Sequence, residues 1–308
     1  MHIPVLLNEV VQSLQLAKGD SVLDCTLGLG GHSKEMLKII GPKGKLIGIE
    51  ADLKNLDKAH DNLKEFKGQV NLYHDNFANL DLVLEKAGDS KVSAILFDLG
   101  LSSPQVDEAE RGFSFLKPGP LDMRFNKEEG ETAADIVNSS GEEDLAAIFW
   151  EYGEERFSKR IAREIVAIRK VTPFTQTEQL KELLEKVIPK FAQKRGKHPA
   201  TKVFQALRIE VNRELDVLKE ALEKAIEVLA PGGRIAVISY HSLEDRIAKK
   251  TFKYHTLDCI CPIEILVCQC EKEADLKIIT KRPIVSSKAE RNSNPRSRSA
   301  KMRIGEKI

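Results

Sequence analysis

The chain has 308 residues, room for one large domain or two modest ones, and its 31% charged and 42% hydrophobic residues are an ordinary balance for a globular protein. No run approaches the roughly 18 consecutive apolar residues of a membrane span, and the first residues lack the basic start and apolar core of a secretory signal, so a cytoplasmic protein with no membrane partner is expected. The net charge of +1 gives no global pull toward polyanions, and five cysteines form no obvious secreted framework.

The first informative stretch is Val22-Leu-Asp-Cys-Thr-Leu-Gly-Leu-Gly-Gly-His32. An apolar run ends in Asp24, a glycine turn follows, and a helical pattern starts near Ser33. Strand, glycine turn and helix is how open α/β sheets hold nucleotide-like ligands. Gly28, Gly30 and Gly31 allow close backbone approach, and the helix start offers free N–H groups. A dinucleotide is disfavoured, because Ser33 stands where G-x-G-x-x-G needs its third glycine and Asp24 would repel a pyrophosphate. An acid before the turn suits a cationic, phosphate-free ligand such as S-adenosylmethionine. The next apolar run, Leu46–Ile49, closes in Glu50, where an acid on the second strand meets ribose hydroxyls. The plainer alternative is a tight turn and a solvated strand end. Further apolar runs at Val70–His74 and Val92–Asp98, with helix-length segments Ser33–Ile40 and Leu53–Phe66 between the earlier runs, predict a parallel sheet covered on both faces. Phe77, just past the third run, is placed either to pack on adenine or to join the core.

The loop Phe97-Asp-Leu-Gly-Leu-Ser-Ser-Pro-Gln105 follows the fourth strand, on the rim where such sheets bind ligands. Its acid, hydroxyls and stiff backbone suit gripping an exocyclic amine. The N4 amine of cytosine is a poor nucleophile because its lone pair is delocalised into the ring. A loop carbonyl, Ser102 or Asp98 could hold its hydrogens and expose the lone pair for in-line attack on a methyl group. A proline turn with a capping serine is the plain alternative. Residues 107–200 show no convincing strand, but apolar residues recur at three- and four-residue spacing in Asp144–Tyr152, Phe157–Arg169 and Thr177–Phe191. The spacing predicts one long helix over Thr201–Leu229, then a strand over Arg234–Tyr240, a helix over Leu243–Phe252, and closing strands at Leu276–Thr280 and Ser299–Ile304. The expected organisation is therefore one sheet domain in two parts, 1–106 and 201–308, interrupted by a helical insertion over 107–200.

Three segments stand out by charge or spacing. His241 ends the last long strand on the ligand rim and could orient a base or take a released proton, with Ser242 as the cap of the following helix. Cys259-Ile-Cys261 and Cys268-Gln-Cys270 offer four thiols, a set that can bind zinc tetrahedrally, although the usual spacing is C-x2-C. Reduced cysteines in a hairpin or a redox-labile pair are the alternatives, and the site reading counts no metal unless these four supply it. Basic runs at Lys159–Lys170, Lys190–Lys202 and Lys281–Arg303 each carry at most one acid; each alone reads as a solvated face, but three together favour a polyanionic partner.

The chain resembles the MraW (RsmH) family of 16S rRNA cytosine-N4 methyltransferases. The resemblance rests on His2-Ile-Pro-Val-Leu-Leu7, Thr26-Leu-Gly-Leu-Gly-Gly-His-Ser33, Asp98-Leu-Gly-Leu-Ser-Ser-Pro-Gln105, Glu110-Arg-Gly-Phe-Ser-Phe115, Gly119-Pro-Leu-Asp-Met-Arg124, Phe204-Gln-Ala-Leu-Arg208, Val237-Ile-Ser-Tyr-His-Ser-Leu-Glu-Asp-Arg246 and Asn294-Pro-Arg-Ser-Arg-Ser299. It implies a class I S-adenosylmethionine-dependent methyltransferase fold, Rossmann-like with a mostly parallel sheet and an all-helical substrate-recognition insertion. It implies methylation of one cytosine in the decoding, P-site region of 16S rRNA in the small ribosomal subunit, with no DNA partner and a homodimer left open. For the cofactor it points to Gly30, Gly31, His32, Glu50, Phe77, Asp98 and Gln105; Glu50 departs from the family's usual Asp by one methylene. With the rim reading above, the catalytic set becomes Asp98, Ser102, Ser103, Pro104 and His241. Arg111, Arg124, Arg296 and Arg298 are the candidates for contacts to RNA, whose target base must be unstacked to react.

Overall fold

The structure, a computed structural model, describes residues 4–192, 198–262, 264 and 267–308. Lys194, Arg195 and Lys197 of the second basic run, and the first two residues of the His2–Leu7 match, lie outside the described residues. Two compact units are present: Met1–Gly100 with Leu215–Ile308, and Leu101–Glu214.

The first unit is built on an eight-stranded sheet: β1 Ser21–Asp24, β2 Lys45–Glu50, β3 Val70–His74, β4 Val92–Asp98, β5 Leu229–Ser239, β6 Leu276–Ile278, β7 Ile284–Val285 and β8 Lys301–Lys307. The order is β3-β2-β1-β4-β5-β8-β6, with β7 also on β8. The first five strands in that order are parallel; β8 runs antiparallel to β5, and β6 and β7 antiparallel to β8. The predicted runs become strands because they are apolar on both sides, as a doubly covered parallel sheet requires. Alternate residues sort to opposite faces. Leu23, Ile47, Phe97 and Val237 pack with Val83, Leu222 and Phe252 on one side; Val22, Leu46, Leu96 and Ile238 pack with Leu14, Met36 and Ile40 on the other. The Pro231-Gly-Gly turn lies inside β5 as an irregularity: Val92 pairs with Leu229 but Ala94 with Arg234, so the extra residues bulge out of the ladder.

This strand order with its single reversed strand near one edge is the class I methyltransferase fold. Its switch point lies at β1, where the order turns from β1-β2-β3 outward to β4-β5 on the other side, and the carboxyl ends of β1, β2 and β4 meet there.

The second unit is helical. Ala133–Ser139, Glu142–Glu151, Ser158–Arg169, Thr177–Val187 and Thr201–Asn212 bury one core that includes Val137, Phe149, Ile165, Leu184 and Leu207. Among the described residues its only extended pairing is an isolated bridge between Pro120 and Gln176. The unit takes in the Ser-Ser-Pro loop and the Thr201–Asn212 helix as well as the span 107–200.

The predicted single helix over Thr201–Leu229 is two, Thr201–Asn212 and Glu214–Val228, because Arg213 sits in the left-handed region at φ 49°. The break coincides with tertiary contacts that the sequence pattern does not show. The Asn212 side chain accepts from Phe125 N at 2.8 Å and donates to Met123 O at 2.8 Å, and the Arg208 guanidinium forks onto Glu214 at 2.7 and 2.8 Å. Those bonds fix the last turn while the apolar spacing runs on unbroken, so periodicity alone does not reveal the break.

Candidate active site

Register places the acids. Asp24 pairs with Gly48 of β2 and Leu96 of β4, so Glu50 and Asp98 each lie two residues beyond it, on either side of the turn that leaves β1. That turn is sewn to both neighbours. Gly28 N donates to Glu50 Oε2 at 2.7 Å, and Asp98 N donates to Thr26 Oγ1 at 2.6 Å. Gly30, at φ +77°, starts the helix Gly31–Ile40 in a conformation that side chains rarely adopt. Gly31 is needed for a different approach from the one its sequence suggests: a Cβ there would stand 2.6 Å from Pro4 Cγ, so the close neighbour is the N-terminal segment.

Asp24 has a structural task. It is buried, its Oδ2 accepts from Ser33 Oγ at 2.6 Å and its Oδ1 from Thr26 N at 3.2 Å, and burial raises its carboxyl above the ordinary range. It therefore clamps the turn to the helix from below, and the expected counter-charge for a cationic ligand falls to the rim acids instead.

Glu50 is the better ligand group. Its Oε1 accepts from Asp52 N at 2.9 Å, its Oε2 accepts from Gly28 N at 2.7 Å, and the Asn55 side chain adds a third hydrogen bond to the carboxylate. Burial outweighs those bonds and pushes the carboxyl up to about 7. With three of its four lone-pair sites used, the carboxylate still has room for a hydroxyl donor, which fits a ribose, and the longer side chain at this position is accommodated by these hydrogen bonds. Phe77 lies half-buried nearby in the chain's third-strand exit, edge-on to Phe97 at 5.6 Å between ring centres, with a partly open surface for an adenine ring. Together with the free amides at the start of Gly31–Ile40, these residues fit S-adenosylmethionine.

His32 and Asp98 form the other half of the rim. His32 Nε2 lies 2.9 Å from the carbonyl of Val5, which requires the proton on Nε2, and its Nδ1 faces Asp98 Oδ2 at 3.7 Å. Asp98 Oδ1 accepts the phenol proton of Tyr240 at 2.7 Å. Tyr240 was not among the predicted site residues. Its phenol is raised well above the ordinary range, first by burial and then by the Asp98 charge, so it stays a donor. Its signal was its place: Ile238 pairs with Asp98, so the residue two beyond it emerges on the same rim.

His241 is the cap of the helix Ser242–His255, a task the sequence suggested for Ser242. Its Nδ1 accepts from Glu244 N at 3.5 Å, while Glu244 Oε2 accepts from Tyr240 N at 2.6 Å. Nε2 lies 2.8 Å from Glu244 Oε1, without hydrogen-bond alignment. Asp245 pairs with Arg303 at 2.7 Å and Lys301 at 3.3 Å. The His241 ring is thereby occupied in fixing its own loop.

Ser102, Ser103, Pro104 and Gln105 belong to the helical unit. Ser102 caps Ser103–Asp107: its Oγ accepts from Gln105 N, and Gln105 Oε1 accepts from Ser102 N at 2.9 Å, with Pro104 in the first turn. Gln105 is buried, and this side-chain oxygen is used inside its own loop.

Arg111 is 2% exposed, and its Nη2 donates to the carbonyls of Arg124 and Phe125 at 2.9 and 3.0 Å. This corrects its reading as an RNA contact: it holds the 124–125 loop from inside. Arg111→Ala should lower stability by roughly 2–4 kcal/mol, since it strands two carbonyls and opens a cavity. A lowered urea midpoint checks this; an unchanged midpoint would show the carbonyls are satisfied otherwise. Arg124 forks onto Asp122 at 2.9 and 3.0 Å, so its charge is already matched. Arg298 is exposed and Arg296 half-buried in the turn Pro295–Ser299. The four cysteines converge, with all four Sγ atoms within 4.8 Å of one another.

The model of the MraW methylase family matches residues 1–308. The protein named ribosomal RNA small subunit methyltransferase H of Clostridium botulinum (strain Loch Maree) is 49% identical over 307 residues, covering 100% of this chain and 99% of that one. Proteins of the same name from Clostridioides difficile and Caldicellulosiruptor bescii are 46% and 49% identical over the same length, each again covered to 99%. Matched over its whole length by that family, and by relatives of its own size, the chain belongs to the MraW methylase family and is an S-adenosylmethionine-dependent methyltransferase.

Proposed function

We propose that this methyltransferase modifies N4 of one cytosine in the decoding, P-site region of 16S rRNA, within the small ribosomal subunit. The observation that supports the reaction type is the state of Asp98: Oδ1 accepts from Tyr240 at 2.7 Å, while Oδ2 faces His32 Nδ1 at 3.7 Å, beyond hydrogen-bond distance, and keeps lone pairs for an amine hydrogen. The substrate follows from relatives named for small-subunit ribosomal RNA over the full length of this chain.

When bound, S-adenosylmethionine supplies a methyl group on a cationic sulfur. Asp98 would orient the cytosine amine by holding one of its hydrogens, so that the lone pair faces the methyl carbon the bound cofactor would supply for in-line displacement from its sulfur. The amine proton becomes acidic only after transfer, so no strong base is needed beforehand, and positioning supplies most of the catalysis. Glu50 would hold the ribose, Phe77 the adenine, and Gly30, Gly31 and His32 the amino-acid end. Ser102, Ser103 and Pro104 shape the loop that Asp98 begins, and His241 fixes the end of β5.

The exposed cations Lys281, Arg282, Lys288, Arg291 and Arg298 line the C-terminal segment and are the proposed phosphate contacts. Replacing Arg291 and Arg298 by Gln should weaken subunit binding and flatten the dependence of log K on log salt by roughly 1–2. Filter binding from 50 to 300 mM salt checks this, with Arg111→Ala as a comparison whose slope stays at the parental value.

The direct test is transfer of a labelled methyl group to small subunits from a strain lacking its own enzyme for this site, with the product nucleoside identified by mass spectrometry. N4-methylated cytidine is the expected product. Bound cofactor with no label in subunits or naked rRNA would overturn the substrate assignment.

A further inference from the structure

Between the helix Ser242–His255 and the short edge strand β6, the chain runs through residues 256–275 without a buried side chain among those described. A segment of that length with no apolar core has little to hold it compact, and small scaffolds of this kind are normally fixed by a covalent or metal staple. Yet Cys259, Cys261, Cys268 and Cys270 bring four sulfurs to one point from two C-x-C arms. We propose that these four cysteines bind a single zinc ion, which staples the 256–275 segment beside the edge of the sheet.

The geometry separates this from the rival pairings. Cys268 and Cys270 Sγ lie 3.5 Å apart, and Cys259 and Cys270 Sγ 3.8 Å apart. A disulfide needs about 2.05 Å. Four thiolates about 2.3 Å from a tetrahedral zinc stand about 3.8 Å from one another. The observed spacings bracket that value, and the widest, at most 4.8 Å, need close by only about an ångström.

The backbone is also turned toward the sulfurs. Ile260 N donates to Cys270 Sγ at 3.3 Å, Cys261 N to Cys259 Sγ at 3.4 Å, and Gln269 N to Cys261 Sγ at 3.4 Å. Amides aimed at sulfur favour the thiolate that a metal requires and spread the excess negative charge of a tetrathiolate site. The tight C-x-C arms allow this because the intervening residues, Ile260 and Gln269, offer their N–H groups across to the opposite arm. Both are exposed, so neither is held there by burial.

The fifth cysteine provides the control. Cys25 is buried just past β1, which three strands separate from β6 in the sheet, and its thiol is pushed well up by burial. Protein purified under reductant and exchanged into metal-free buffer should retain about one zinc per chain by elemental analysis. Cys25→Ala should keep that zinc, and Cys259→Ser/Cys268→Ser, which removes one ligand from each arm, should lose it. Titrating the parental protein with an organomercurial should release the zinc as the four cluster thiols are consumed, a readout that does not depend on any variant folding. Cobalt in place of zinc should show the intense thiolate charge-transfer absorption of a tetrahedral site. Failure of the reduced, zinc-reconstituted parental protein to retain metal would overturn the proposal, as would zinc retained by the double variant or disulfides found within the cluster of freshly purified protein.

Discussion

Asp98→Asn is expected to lower the rate of methyl transfer by about 10²–10³-fold, the usual consequence of misplacing one preorganised group at a reacting centre. The change is nearly isosteric, so the loss has an electrostatic origin. Tyr240 donates its phenol proton to Asp98 Oδ1, which forces the amide oxygen of an Asn to take that side. The amide nitrogen then faces the incoming amine, donor against donor. Cofactor affinity should stay within about tenfold of the parent if Glu50, as proposed, holds the ribose. Tyr240→Phe frees the carboxylate to rotate and should cost about tenfold in kcat with a small change in KM. The double variant should then be less impaired than the product of the two singles, because without the phenol the Asn can present its oxygen to the amine. Single-turnover rates on small subunits measure all three. Asp98→Asn turning over at the parental rate would remove Asp98 from the amine-holding role, and strict additivity would remove Tyr240 from its orientation.

The second expectation concerns Glu50. Its carboxyl is pushed up to about 7 by burial, against an ordinary value of 4.5. If the ionised form holds the ribose hydroxyls, only that fraction of the protein is competent, and apparent affinity for S-adenosylhomocysteine should fall about tenfold per pH unit below about 7 and level off above it. The stability of the ligand-free protein should move the opposite way. Between 4.5 and about 7 the folded state holds a proton that the unfolded state has released, so stability declines as pH rises through that window and is flat above it. The decline is at most about 3 kcal/mol, less to the extent that water reaches the rim. Glu50→Gln should abolish both dependences. It should also weaken binding by about 10–10²-fold, since one amide oxygen cannot serve both Gly28 N and Asp52 N and the hydroxyls as well. Calorimetric titration from pH 5.5 to 8.5 decides it: an affinity that is constant, or that rises on acidification, would rule out the ionised carboxylate as the ribose acceptor.

The acids at the ends of β2 and β4, the glycine turn between them and the helical character of 107–200 were all legible in the chain. Each is a local property: an apolar run of strand length, a residue that ends it, or a three-to-four spacing. What those patterns could not supply is what each side chain meets. Tyr240 and Asp98 are 142 residues apart, and Glu290 accepts from Leu6 N across 284 residues at 2.8 Å. Arg111, in a motif rich in polar residues, reads as a surface cation and turns out to be the inner prop of a loop. Asp24 reads as a ligand group and is a clamp, because a carboxylate with a serine hydroxyl and an amide in reach is better satisfied below the turn than above it.

The sequence by itself determined the class of fold, the carboxyl-end rim as the place for chemistry, and the nature of the cofactor, because these depend on residue types in a fixed local order. Only the tertiary structure decided which acid is tied up beneath the turn and which sits at the rim, that Tyr240 donates to Asp98, that the helix after Thr201 stops at Arg213, and that four thiols from two arms meet at one point. Those outcomes depend on strand register and on which buried polar groups find partners, and both are set by packing between segments that lie far apart in the chain.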